Sequence, residues 1–246
     1  MTALRPSNFK RIHLGLLLDL LLLLMIPAVL AGLLGHVSWQ ISSAGAETVT
    51  AAELLSAPSL AVKALYAFLT LQYCLAALCA LLAVSGLGEL EAASEMFYRA
   101  KLCFILLMLT DCVAMLAHIT DVLRPDSDTL ALSSGVWLAS LVLLMSVRAL
   151  GLRSMLRGFG EVLESIGAPS LSRRALRLSR CITAVAVLAA ALLLAYFGLY
   201  VFEPQHPVWQ ALRVLVVPAL LFYLLCRVQA VLCARAVTRR ITELSE

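Results

Sequence analysis

Charge is scarce in this chain. Asp, Glu, Lys and Arg make up 14% of its 246 residues, where a soluble domain carries about 25%. With 62% of the residues apolar, the polar surface is too small to cover a water-soluble globule, so much of the chain takes lipid as its solvent. Two-residue alternation is also missing. Runs such as "LGLLLDLLLLLMIPAVL", from Leu14 to Leu30, exclude the in-out pattern of membrane barrel strands. No Cys-x-x-Cys pair occurs. Cys74, Cys79, Cys103, Cys112, Cys181 and Cys226 lie in apolar runs or at their basic ends, and Cys233 lies just beyond, which argues against a disulfide framework or a thiol oxidase. His13, His36, His118 and His206 are dispersed without His-x3-His spacing, and no glycine-rich phosphate loop follows a strand. No metal, no cofactor and no nucleic-acid partner are expected.

What the chain has in abundance is length of apolar run. Six stretches are long enough to cross a hydrocarbon layer as helices: 14–34, 60–84, 102–122, 130–147, 181–201 and 208–230. A helix satisfies its own backbone groups, so unbroken apolarity is allowed. The expected fold is all-α, a single-domain polytopic bundle of six transmembrane helices. Ala76-x3-Ala80 and Ala186-x3-Ala190 suit close helix contact, and Pro27 and Pro218 fall inside the first and sixth runs.

Basic residues orient the bundle. Sixteen of the 19 Lys and Arg fall on one side: Arg5, Lys10 and Arg11; Arg99 and Lys101; Arg148, Arg153, Arg157, Arg173, Arg174, Arg177 and Arg180; Arg227, Arg235, Arg239 and Arg240. Lys63, Arg124 and Arg213 are the remainder. The positive-inside rule then predicts cytoplasmic N- and C-termini in a multi-pass protein of the plasma (inner) membrane. "AGA" at 44–46 resembles a signal-peptide cleavage site, but the preceding apolar run of about 20 residues exceeds a signal h-region, so an uncleaved first span is expected.

The segment between the fourth and fifth runs is amphipathic. Leu152, Leu156, Phe159, Leu163 and Ile166 share one helical face, while Arg153, Arg157 and Glu161 point elsewhere and Arg157 can pair with Glu161 at i,i+4. Gly167 and Pro169 stop this helix, and Ser170 or Ser172 can cap the next. An apolar stripe beside basic residues predicts a cytoplasmic interfacial helix on the lipid bilayer.

Five ionisable residues fall within the runs. Asp111 lies near mid-membrane, where a charge costs at least about 2.5–3.5 kcal/mol. His118 and Asp121 follow on the same face, running outward. Lys63 lies at their depth, and Asp19 lies nearer the inner side, within reach of snorkelling basic residues. Asp111 has no basic residue at its own depth, which would make it a neutral, hydrogen-bonded carboxyl.

Two family resemblances bear on function. Glu161-x5-Gly167 followed by "APSLSRRALRL" resembles the EAA loop of binding-protein-dependent ABC importer permeases, which implies a coupling helix docked on an ATPase subunit. Val162 and Leu163 stand where that family has alanines, and no proline closes the segment. Leu132-Ser133-Ser134-Gly135, with His206, resembles the serine motif and assisting histidine of rhomboid intramembrane proteases. Leu132 replaces that motif's glycine, and helix capping explains the serines as well. The expectation from the residues is a small transporter or transport subunit, not an enzyme. The alternative is a non-catalytic membrane protein that binds lipid, or a cytoplasmic or membrane protein partner, through its basic loop; an intramembrane hydrolase using Ser134 is the third.

Overall fold

The computed structural model describes residues 4–43, 60–123, 127–202 and 208–246, with side-chain packing for 4–25, 70–116, 142–196 and 214–246. Among these, the regular structure is entirely α-helical: α1 Pro6–Ser43, α2 Leu60–Gly88, α3 Glu95–Leu123, α4 Ser127–Ser165, α5 Pro169–Phe202 and α6 Val208–Ser245. Consecutive helices pack side by side, α6 returns onto α1, and α4 also touches α6 across the ring. The connectors at 89–94 and 166–168 are so short that the helices they join must be antiparallel neighbours.

Local chemistry sets the helix ends. Ser94 caps α3, its Oγ accepting from the Met96 amide at 3.0 Å. α4 closes in a Schellman motif: the Ala168 amide donates to the Leu163 carbonyl at 2.8 Å and the Gly167 amide to that of Glu164 at 3.1 Å. Gly167 adopts φ +73°, a conformation that costs a residue with a Cβ about 1–2 kcal/mol. Pro169 opens α5 at the first helical position, where its missing N–H costs nothing. Ser170 and Ser172 therefore sit inside the first turn of α5, and the amide of Ser172 already bonds to Ala168. Pro218 lies within α6, which continues through it.

Three helices contain described stretches long and apolar enough to cross a membrane: Thr70–Gly88, Pro169–Tyr196 and Val214–Ser245. In α1, α3 and α4 much of the apolar run lies at 26–43, 117–123 and 127–141, outside the described side chains. The outer surface carries a belt of exposed apolar residues: Leu14, Leu18 and Leu21 on α1, Leu71, Leu75 and Leu78 on α2, Leu102, Leu106 and Leu109 on α3, with matching residues on α4, α5 and α6. Water does not tolerate an apolar patch of that extent around a whole bundle.

The helices do not stop where the belt stops. α4 is 39 residues, about 58 Å, against a hydrocarbon layer of about 30 Å. Among the described side chains, many of the largest fully buried ones, including Phe9, Leu90, Phe97, Leu156, Phe159, Leu163 and Val237, lie at the basic end of the bundle.

This corrects the expected interfacial helix. The segment 152–165, with Ile166 opening the connector to α5, is no separate element on a membrane surface but the last four turns of α4. Its apolar face is turned inward: Phe159 stacks against Phe9 of α1 at 5.9 Å and Phe97 of α3 at 5.8 Å between ring centroids. Gly158 lets the Phe97 ring approach so closely that a Cβ there would lie 2.7 Å from a ring carbon. Phe159 and Leu163 are wholly buried, Arg153 and Arg157 half-buried, and Glu161 exposed. The Arg157–Glu161 pair does not form among the described ion pairs; Glu161 accepts from Ser94 Oγ instead, tying α4 to the cap of α3.

Candidate functional site

The sharpest departure from an apolar interior is a cluster of charges where α1, α3, α4 and α6 face one another. Asp19 of α1 is its centre. Its Oδ1 accepts from Arg148 of α4 at 3.1 Å, and its Oδ2 accepts from Arg227 of α6. Arg227 is 4% exposed, and Asp19 and Arg148 keep only a small window to the outside. Tyr223, one turn before Arg227, is buried beside both guanidiniums and donates its hydroxyl to the Met145 carbonyl at 3.5 Å.

Small residues bring these elements together. A Cβ on Gly15 would lie 2.7 Å from the Cys79 carbonyl, so α1 and α2 touch backbone to backbone one turn from Asp19. Ala80 and Ala83 extend the same contact, as the Ala76-x3-Ala80 spacing predicts. On α5, Ala186 and Ala190 are buried in the same manner. A narrow crevice, of the size of a single water molecule, remains between Gly15, Asp19, Ala76, Cys79, Leu107 and Arg148.

Asp111 of α3 stands one turn beyond Leu107. It is 3% exposed, and its Oδ2 has no hydrogen-bond partner. Arg148 and Asp19 both act on it electrostatically. Arg148, from the end of the fourth apolar run, lines the crevice beside Leu107 and so lies within electrostatic reach of Asp111, though the two form no ion pair. Arg148 is itself incompletely satisfied, its Nε being buried without a partner. A carboxylate oxygen and a guanidinium nitrogen of opposite charge are thus both buried without a hydrogen-bond partner from the protein.

Of the five intramembrane candidates, the fold brings Asp19 and Asp111 into one cluster. The side chains of Lys63, His118 and Asp121 lie outside the described residues, as do those of Ser133, Ser134 and His206. Arg148 and Arg227 were missed as site residues because, on the charge count, each sits at the edge of an apolar run and passes for an anchor at the membrane surface. The available signal was Asp19, an acid at the depth both can reach. Among the described residues no three His, Cys, Asp or Glu side chains converge as metal ligands would.

A buried cluster of two acids and two arginines can do two things. Fully ionised, it is neutral and ties four helices together at one level. If one acid takes up a proton, one positive charge is left over and the balance between helices changes. No family model matches the chain, and neither curated proteins nor solved structures yield a match.

Proposed function

We propose that the chain is a six-span protein of the plasma (inner) membrane, with both termini cytoplasmic, that carries a small solute in step with a proton bound at Asp111. The observation that carries this reading is the buried Oδ2 of Asp111, which no protein group hydrogen-bonds, within electrostatic reach of Arg148. An ionisable group is expensive at that depth and is retained where its charge is used. The neighbouring Asp19 is committed to two arginines, so Asp111 is the acid free to exchange a proton. The belt of exposed leucines supports lipid as the surrounding medium, and the exposed Arg99, Arg173, Arg177 and Arg180 beyond it support a cytoplasmic basic end.

A proton is the one solute that can be assayed without knowing the other. In proteoliposomes holding a trapped pH dye and an imposed inside-negative potential, the wild-type protein should admit protons several times faster than protein-free vesicles. Asp111→Asn keeps the shape and should return the rate to that of empty vesicles, while its helicity in detergent stays that of the wild type. Equal rates in the wild type and Asp111→Asn would remove Asp111 from the function.

A second reading is favoured by α5. Arg173, Arg177 and Arg180 lie exposed on one helical face with no acidic partner among the described residues, and Arg173 donates only to the Pro169 carbonyl. That face suits a cytoplasmic or membrane protein partner with an acidic surface, or anionic headgroups of the bilayer.

A further inference from the structure

On α5, the exposed Arg173, Arg177 and Arg180 run straight into the exposed Ala184, Val187 and Leu188, at the three- and four-residue spacings that keep a helical face in line. The face turns from cationic to apolar within one turn. α6 sets its depth: Arg174 donates to Gln229 at 2.8 Å and acts electrostatically on Cys233, and Cys181 acts on Cys226. In that antiparallel register Arg177 and Arg180 stand beside the stretch of α6 that bears Leu225 and Leu232, which are 58% and 44% exposed. The two arginines therefore lie at the inner edge of the apolar belt and not out in water beyond it. They are about 4.5 Å apart along the axis, less than the headgroup layer of about 5–7 Å on each side of the hydrocarbon. Acids at this end of the bundle serve other helices. Glu89 pairs with Arg11, Glu91 with Lys101, Glu95 with Arg99 and Glu243 with Arg239 and Arg240, while Glu161 accepts from Ser94. The acids at 47, 53, 121, 126, 128 and 203, whose side chains are not described, belong in sequence to the opposite ends of the apolar runs or to the loops beyond them.

We propose that this face of α5 binds an anionic phospholipid of the cytoplasmic leaflet, its phosphate held by Arg177 and Arg180 and an acyl chain laid along Ala184, Val187 and Leu188. The proposal rests on the reading of the basic face as a docking surface and is independent of the proton at Asp111. Guanidinium forks match phosphate oxygens two at a time, and the cytoplasmic leaflet supplies anionic headgroups at the depth these arginines occupy. A phospholipid meets the cationic and the apolar halves of the face with its own two ends. A soluble acidic protein would first have to displace lipid from Val187 and Leu225, which are 65% and 58% exposed.

The test uses the full chain in phosphatidylcholine vesicles with a trace of spin-labelled phosphatidylglycerol or of spin-labelled phosphatidylcholine, and reads the fraction of label immobilised at the protein surface. Wild-type protein should prefer the phosphatidylglycerol label several-fold at about 0.1 M salt and less at about 1 M, where the Debye length falls from about 10 Å to about 3 Å. Arg177→Gln with Arg180→Gln, which changes two exposed side chains, should bring the labels near parity. Arg99→Gln with Arg239→Gln removes the same net charge from exposed arginines that already have acidic partners, and should leave the preference intact. A preference that survives the loss of Arg177 and Arg180, or that falls equally in both double variants, would overturn the site on α5. Equal immobilisation of the two labels by the wild type would overturn lipid as the occupant. Fluorescent polyglutamate added to the same phosphatidylcholine vesicles then separates that failure from failure of the docking surface itself. Binding to the wild type but not to Arg177→Gln with Arg180→Gln would assign the face to an acidic protein, and binding to neither would remove the docking surface as well.

Discussion

Replacing Asp19 by Asn isolates the electrostatic tie between α1, α4 and α6. The substitution keeps the side-chain volume and removes one charge, leaving Arg148 and Arg227 side by side with their shared acceptor neutralised. Breaking a buried pair from one side costs about 3–5 kcal/mol, because an uncompensated charge stays behind. An independent figure agrees: a unit charge pair at about 4 Å in an effective dielectric of about 20 is worth about 4 kcal/mol. The 17% exposure of Arg148 lets water screen part of this, and the negative charge of Asp111 compensates another part, so the lower end of the range applies. In detergent micelles, denaturant titration followed by helicity should show a loss of about 3 kcal/mol for Asp19→Asn. The triple variant Asp19→Leu, Arg148→Met, Arg227→Met removes all three charges and should return to within about 1 kcal/mol of the wild type or exceed it. A loss below about 1 kcal/mol for Asp19→Asn alone would refute the reasoning, since it would mean that both guanidiniums reach water.

Two further outcomes follow from local geometry. Gly86→Ala places a methyl 2.6 Å from the Asn8 carbonyl oxygen and 2.7 Å from Ile12, so α1 and α2 must separate; the overpacking cost of about 1–3 kcal/mol should exceed the gain of about 1 kcal/mol in helix propensity, whereas Gly88→Ala, whose nearest neighbour is Lys101 Nζ at 3.8 Å, should lose nothing in the same denaturant titration. His13, just before the apolar belt on α1, has its pKa lowered by burial and then by Arg235. Its folded form therefore resists protonation, so its contribution to stability is complete above the ordinary histidine value of about 6.5 and declines as pH falls through that value. Thermal midpoints measured from pH 8 to pH 5 should fall in the wild type and fall less in His13→Gln.

Helix was legible in the sequence and its partner was not. Each of the six apolar runs falls within one of the six helices, but α4, α5 and α6 extend beyond their runs by about three to five turns at the basic end. Beyond the belt the solvent is water, and period replaces hydropathy as the signal. The spacing of Leu152, Leu156, Phe159 and Leu163 correctly marks one buried face. An amphipathic period states only that a face is hidden, however, and an acyl layer hides it as well as Phe9, Phe97 and Leu176 do. The deciding fact, that α4 runs unbroken from Ser127 to Ser165, depends on there being no helix breaker between Arg148 and Gly167. The chain has only glycines there, at 151, 158 and 160, and each faces a side chain from α3 or α5 that needs the room. Those glycines act as contact points in the bundle.

The charge cluster was hidden for a related reason. Counting Lys and Arg by side treats each as a surface anchor, and for exposed residues such as Arg11, Arg99, Arg173 and Arg239 that treatment is sound. It fails for Arg148 and Arg227 because a guanidinium at the edge of an apolar run has two ways to be satisfied. It can extend outward to headgroups, or turn inward to an acid at the same level. Asp19 lies five residues into the first apolar run, Arg227 lies three residues before the end of the sixth, and Arg148 adjoins the fourth, so all three occupy one layer of the bundle. An acid buried in that layer needs a cation more than an arginine at its rim needs water, and that need draws both arginines inward. Asp111, deeper by about one more turn, has no ion-pair partner among the described residues and only a share of Arg148, and that difference from Asp19 is what the proposed proton step rests on.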